Sequence, residues 1–326
     1  MKAKQVIALF IAALIFIGTG IASVYTNTTL KPLFESEVES RVYETEYFTP
    51  LYDYIALIRV EGTISESIAE TVTLSESFYD HDYILEYIDY LTYDSYNRGI
   101  LLYVNSPGGS VYASDELYLA LEEYKELTDR PIYCYYGATA CSGGVYVSMA
   151  ADNICANRNT MTGSIGVIMQ TYDFTGLYDK LGIVENNVTS GENKAMGSSG
   201  EKLTDEQKDI LQSVVDESYD QFVEIISESR EMDVEKVREL ADGRIYTAKQ
   251  ALKAGLIDRI ETFEEYKERV CGHFAEDVYV YEAPSSNVSW LYRFFAGATE
   301  KLPQSDVQAL IDYKDGLKSG VWYYAE

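Results

Sequence analysis

Two histidines, His81 and His273, are all that the 326 residues contain, so chemistry built on an imidazole base or a histidine-held metal is poorly supplied. His81 stands in the acidic run Tyr79-Asp80-His81-Asp82, and His273 lies near the end of the globular part. Cysteine is almost as scarce. Cys134, Cys141, Cys155 and Cys271 show no close-paired metal spacing, and three sit in apolar or small-residue runs, which reads as buried thiols rather than a disulfide framework. Basic residues number 26 against 53 acidic ones, for a formal net charge of -27. So acidic a chain repels nucleic acid and anionic headgroups, and solubility is the simplest meaning of the charge. Phosphate loops are missing too: Ser106-Pro107-Gly108-Gly109 lacks the Lys-Ser/Thr pair that reaches a nucleotide phosphate, and no Gly-x-Gly-x-x-Gly follows a strand. No metal and no cofactor is expected.

Long uncharged apolar runs are also few. The one at the N-terminus, Val6 to Ala22, follows Lys2 and Lys4 and is slightly shorter than the about 20 helical residues that cross a hydrocarbon core. It reads either as a cleaved signal peptide, with Ile21-Ala22-Ser23 as its small-residue site, or as a retained signal anchor. The imperfect cleavage signal favours the anchor. Lysines in front and few basic residues soon after place the N-terminus inside and the bulk of the chain outside. The expected organisation is a cytoplasmic N-terminus over 1–4, a transmembrane signal anchor over 5–24, an acidic linker over 25–50, a globular domain over 51–282 and a C-terminal tail over 283–326. The expected location is the cell membrane, single-pass, with the domain on the extracytoplasmic side.

Within the domain, short branched runs alternate with helical spacing. Strands are predicted at Tyr54 to Val60, Gly99 to Val104, Ile132 to Tyr136, Asn153 to Ala156, Ile165 to Met169 and Ile183 to Val188. Helices are predicted at Tyr83 to Tyr93, through Leu117, Leu121 and Tyr124, from Ser142 through Met149, and at Phe174 to Leu181. Further helices follow at Leu203 to Glu231, Val234 to Leu240 and Ala248 to Ala254. The long helix carries its apolar positions at Ile210, Val214, Val215, Phe222, Ile225 and Ile226. This alternation is that of an α/β fold of stacked crossover units. The 30 tyrosines, clustered in 79–96 and 112–136, are read as half-buried packing residues with a wet tip rather than as a peptide groove.

Two glycine-rich turns follow two successive strands, and in a parallel sheet such turns meet at the carboxyl ends of the strands, where sites collect. Amides freed by Gly108-Gly109 at a helix start can face a developing oxyanion, although a plain tight turn explains the same residues. In Gly137-Ala138-Thr139-Ala140-Cys141-Ser142-Gly143-Gly144, small neighbours let Ser142 occupy a strained strand-to-helix turn as a nucleophile. Cys141 is the rival nucleophile, but a thiol needs an imidazole or a helix terminus to ionise it. With histidine scarce, a desolvated lysine is the alternative base. Lys194, in Ser190-Gly191-Glu192-Asn193-Lys194 directly after a predicted strand, is the strongest candidate.

Asn105-Ser106-Pro107-Gly108-Gly109, Ala140-Cys141-Ser142-Gly143-Gly144, Thr162-Gly163-Ser164-Ile165-Gly166-Val167 and Ser190-Gly191-Glu192-Asn193-Lys194, in this order and at these separations, resemble the signal peptide peptidase A family of serine proteases in its short form. The likeness runs from about Ile55 to Ile260 and includes Asp242-Gly243-Arg244-Ile245-Tyr246. The resemblance implies a crotonase-like (Clp-protease-like) fold of stacked ββα units behind an N-terminal membrane anchor helix. It also implies a Ser-Lys dyad endopeptidase that degrades signal peptides left after secretion. Carried over by position, Ser142 resembles the nucleophile, Lys194 the general base, Gly109 and Gly143 the oxyanion hole, and Ser164 the hydroxyl that holds the lysine amine. A homo-oligomer is implied in which a neighbouring protomer can supply the dyad lysine. Cys141, where the family usually has alanine, and Val145, where an aromatic is common, are departures that bear on pocket shape. The rival functions are an acyl-CoA enzyme on the same kind of fold and a non-catalytic membrane scaffold. Outside the likeness, the apolar end Gly320-Val321-Trp322-Tyr323-Tyr324-Ala325-Glu326 either packs on the domain or occupies its groove.

Overall fold

Branched apolar runs form the sheet and amphipathic runs cover it. In the computed structural model, which describes residues 49–66, 79–274, 277–283 and 322–324, β1 (Tyr54–Glu61), α1 (His81–Tyr93) and β2 (Asn97–Ser106) make the first crossover. After β3 (Gly108–Ser110), α2 (Val111–Thr128) returns the chain to β4 (Ile132–Cys141). Then follow α3 (Gly143–Ser148), β5 (Asn153–Ala156), β6 (Met161–Gly163), α4 (Thr175–Leu181), α5 (Asp205–Ser229) and α6 (Val234–Leu240). The remaining elements are β7 (Ile245–Thr247), α7 (Ala248–Ala254), β8 (Arg259–Ile260), α8 (Phe263–Cys271), β9 (Tyr279–Glu282) and β10 (Trp322–Tyr324). The expected N-terminal segments and nearly all of the expected tail lie outside the described residues. Among the described residues no helix is long and apolar enough to cross a membrane.

The main sheet runs β7-β6-β4-β2-β1-β9, with β5 joining β4 to β8. Its central ladders are parallel, Leu57 lying opposite Leu101 and Leu102 opposite Cys134. Such a sheet is buried on both faces, which is why β1, β2 and β4 are almost continuously apolar. Local signals set the helices. Asp80 caps α1 by accepting from the Tyr83 amide, and Ile84, Tyr87, Ile88 and Leu91 form its buried stripe. Ser110 caps α2 through the Ala113 amide, and Thr204 with Gln207 closes a capping box on α5. On the opposite face, Tyr266 and Val270 of α8 pack against Leu57, Leu101 and Tyr135. Tyrosine serves as core here: Tyr54, Tyr124, Tyr136, Tyr146 and Tyr266 are fully buried. Several place their hydroxyl on a fixed partner, Tyr54 on Asp94 (2.6 Å) and Tyr124 on Asn97 (2.5 Å).

Four expectations need correction. The turn at 105–110 contains a strand, β3, held by Ile64, whose amide donates to the Gly108 carbonyl (3.0 Å) and whose carbonyl accepts from Ser110 (2.8 Å). The strand expected at 165–169 lies earlier, at Met161–Gly163, because Gly163 (φ 93°) and Ser164 (φ 50°) turn the chain out of the ladder. Residues 183–188 form no strand: Val184 and Val188 are exposed, and no neighbour among the described residues supplies ladder bonds. Finally, α5 buries only Phe222, Val223, Ile225 and Ile226, leaving Val214 in its first half exposed.

Burial also sets a pH limit. Desolvation pushes the Cys134 thiol from 9.0 up to about 12 and the Tyr124 hydroxyl from 10.0 up to about 12, and raises Tyr136 further. These groups bind their protons more tightly folded than unfolded, so their contribution is complete below about pH 9 and is lost as pH rises towards 12. The urea midpoint is expected to hold between pH 7 and 9 and then fall; an unchanged midpoint at pH 11 contradicts this.

Candidate active site

The site is assembled where β3, β4 and β6 end. β4 divides its partners: Tyr133 to Tyr136 pair with β5, while Thr139 to Cys141 pair with β6. At the last residue the chain reverses into α3 through Ser142, which adopts φ 52° and ψ -115°. A positive φ is uncommon for a residue with a Cβ and persists only where the surroundings over-determine it. Two bonds do so: the Ser142 amide donates to the Gly163 carbonyl (2.8 Å), and the Ser142 carbonyl accepts from the Tyr146 amide (3.0 Å). The residue is fully buried, and its Oγ has no hydrogen-bond partner among the described residues.

Facing this elbow is the glycine strand. A Cβ on Gly109 would stand 1.9 Å from the Ile64 carbonyl oxygen, and one on Gly143 would stand 3.2 Å from the Gly109 nitrogen and 2.4 Å from Ser114 Oγ. Both positions are therefore glycine by close approach. They bring the backbones on either side of the site against each other. Immediately after β3 begins the 18-residue α2, whose N-terminal partial positive charge lies beside the Gly109 backbone. Behind the site, the Tyr146 hydroxyl donates to Asp115 Oδ1 (2.5 Å), and Gln221 Nε2 donates to both that oxygen (2.8 Å) and the Tyr146 hydroxyl (2.6 Å). This trio ties α2, α3 and α5 together.

Of the expected site residues, the fold gathers Gly109, Ser142, Gly143 and Ser164. Ser164 follows Gly163, the acceptor of the Ser142 amide, and is itself at φ 50° with its amide on the Arg244 carbonyl (2.8 Å). Lys194 is exposed in the single chain; its amide donates to Gly191 (3.2 Å), and its ammonium pairs with no carboxylate among the described residues. Cys141 is buried and points away, its thiol 3.7 Å from the Met161 carbonyl, and desolvation pushes it up to about 11. It is a thiol, not a thiolate, at neutral pH. Both histidines are engaged elsewhere, His81 with Tyr79 and Glu116 and His273 with Tyr133. Among the described residues no cluster of His, Cys, Asp or Glu could hold a metal. Sequence reasoning missed Ile64 and Ser114, which reach the site only through tertiary contacts.

A strained serine at a strand-to-helix turn, facing glycine backbone at a helix N-terminus, is a geometry that can set a hydroxyl nucleophile beside backbone donors for an oxyanion. The pattern of peptidase family S49 matches residues 125–273. The chain is 39% identical over 211 residues to a putative signal peptide peptidase SppA of Enterococcus faecium, covering 65% of this chain and 61% of that one. It is 40% identical over 169 residues to a putative protease of Synechocystis (52% and 60%), and 34% identical over 214 residues to a putative protease of Methanocaldococcus jannaschii (61% and 68%). The chain belongs to peptidase family S49. It spans about three fifths of the length of the first two of these relatives.

Proposed function

We propose that this chain is a membrane-anchored serine endopeptidase of crotonase-like (Clp-protease-like) fold, cleaving peptide bonds with Ser142 as nucleophile and Lys194 as general base. The observation that carries the reading is the buried, unpartnered Ser142 Oγ on a strained elbow against the Gly109 and Gly143 backbones. Ser142 Oγ attacks the scissile carbonyl carbon while its proton passes to the neutral Lys194 amine. The carbonyl oxygen becomes an oxyanion held by the Gly109 and Gly143 amides, helped by the α2 N-terminus. Collapse breaks the C–N bond, the lysine returns its proton to the leaving amine, and water then releases the acyl group from Ser142. Ser164 orients the lysine amine.

Signal peptides are the proposed substrates, on the likeness to the Enterococcus faecium protein. The anchor at 5–24 would hold the domain at the extracytoplasmic face. Supply of the base by a neighbouring copy is supported by the exposure of Lys194 within a segment that also exposes Ile168, Leu177, Leu181, Val184 and Val188. An apolar arm of this kind is a contact surface for another subunit. A fluorophosphonate probe is expected to phosphonylate Ser142, read by peptide mass spectrometry. Labelling elsewhere, or none in a protein that hydrolyses peptides, removes the serine mechanism; hydration of an enoyl-CoA without labelling favours the acyl-CoA reading.

A further inference from the structure

We infer that Asn105 is a positioning residue: its side chain pins a bulge in β4 and so fixes where Ser142 stands relative to the Gly109 strand. The kinetic half of this role rests on the peptidase reading above; the structural half does not. β2 and β4 keep a regular parallel register as far as Val104 opposite Tyr136, and the ladder resumes with Ser106 opposite Ala140. One residue, Asn105, therefore stands opposite three, Gly137 to Thr139. Bulges occur beside active sites and re-aim the residues that follow them. Here the stretch that follows is Thr139 to Cys141, which leaves β5 for β6 and runs directly into Ser142.

A bulge needs struts, because its extra residues have lost their ladder partner. From the connection between β5 and β6, Thr160 Oγ1 supplies one by donating to the Gly137 carbonyl (2.6 Å) and the Tyr136 carbonyl (3.2 Å). From β2, Asn105 supplies another: its Oδ1 accepts from the Thr139 amide (3.2 Å). A backbone N–H can be met only by the oxygen of the carboxamide, so the chemistry required at 105 is an acceptor. Tight packing surrounds the strut, since a Cβ on Gly137 would stand 2.8 Å from the Tyr103 hydroxyl and 3.2 Å from Asn105 Cβ. Asn105 also belongs to the other half of the site. Its carbonyl accepts from the Gly62 amide (3.1 Å), which ties it to the end of β1. Next to it, Ser106 Oγ accepts from the Gly108 amide (3.0 Å) and stiffens the turn into Gly109. The nucleophile strand is thus bonded, three residues before Ser142, from the same short run that carries the Gly109 amide. Because strand side chains alternate, slip of the bulge by one residue would turn every following side chain to the opposite face.

The test compares the full chain as wild type, as Asn105→Leu, which keeps the volume without the acceptor, and as Asn105→Asp, which keeps an acceptor at the same reach. Asn105→Leu is expected to lower kcat about a hundredfold with KM little changed, as a misplacement of about 1 Å at the reacting groups does. Fluorophosphonate labelling of Ser142 should slow in step. Asn105→Asp should recover most of both rates, which it could not do for a residue that only fills space. Wild-type kcat in Asn105→Leu overturns the assignment, as does an Asn105→Asp protein as slow as Asn105→Leu. A raised KM at wild-type kcat puts Asn105 on the substrate and overturns it too. Should Asn105→Leu not fold, Asn105→Ala carries the same expectations. Hydrogen exchange reads the strut without hydrolysis: the Thr139 and Ser142 amides are expected to exchange faster in Asn105→Leu than in wild type or Asn105→Asp. Unchanged exchange overturns the proposal whatever the chain hydrolyses, whereas faster exchange in a protein that hydrolyses nothing supports the strut and counts against the peptidase reading alone.

Discussion

Ser142→Ala is expected to abolish peptide hydrolysis, lowering kcat by about 10³-fold or more, with Tm unchanged or slightly raised. The two halves of this result have different causes. Activity goes because no other nucleophile is available: Cys141 is turned towards Met161 and pushed up to about 11 by burial. Stability stays because Oγ makes no hydrogen bond that the fold would lose. Lys194→Ala should be as inactive, and equally stable, since its ammonium has no ion pair among the described residues. If a neighbour supplies the lysine, co-assembling the two dead variants restores some sites. Only a Lys194→Ala subunit facing a Ser142→Ala neighbour is complete, so random mixing returns up to about a quarter of the wild-type rate in a closed ring. Activity measured against mixing ratio checks this, and no recovery at any ratio means that the dyad is not shared between copies. Wild-type-like hydrolysis by either single variant would falsify the mechanism.

Gly109→Ala carries the second large effect. The new Cβ would meet the Ile64 carbonyl oxygen at 1.9 Å and its carbonyl carbon and amide nitrogen at 2.7 Å. All three are backbone atoms, so no rotamer change relieves the clash; β3 has to move and take the Gly109 amide with it. A displaced oxyanion donor costs about 10²–10³ in kcat, and forced overpacking costs about 1–3 kcal/mol of stability. KM is expected to change far less than kcat. Gly109→Ala with wild-type kcat would show that this amide plays no part in the reaction.

Much of the architecture was legible in the linear pattern because its causes are local. The parallel strands announce themselves as branched runs, α6 and α7 begin where Asp233 and Thr247 cap them, and α7 ends at Gly255 in the left-handed conformation. The serine and glycine motifs were likewise legible, as small residues placed directly after strands. Errors fell where a partner, not a propensity, decides. Residues 183–188 have a strand's composition but no neighbour to bond, and Met161–Gly163 has little of it yet pairs with β4 and β7. β3 was hidden inside a turn motif because Ile64, far upstream in the chain, is what makes it a strand.

The sequence by itself determined the type of chain, the order of its elements and the identity of the nucleophile candidate, because periodicity, caps and small-residue runs act within a few residues. Only the tertiary structure decided that Ser142 is held at positive φ with a free hydroxyl, that Ser114 and Ile64 border the glycine backbone, and that β10 lies along Gly108–Ser110. Those are contacts between segments remote in sequence, and no local propensity encodes which segment will be brought against which.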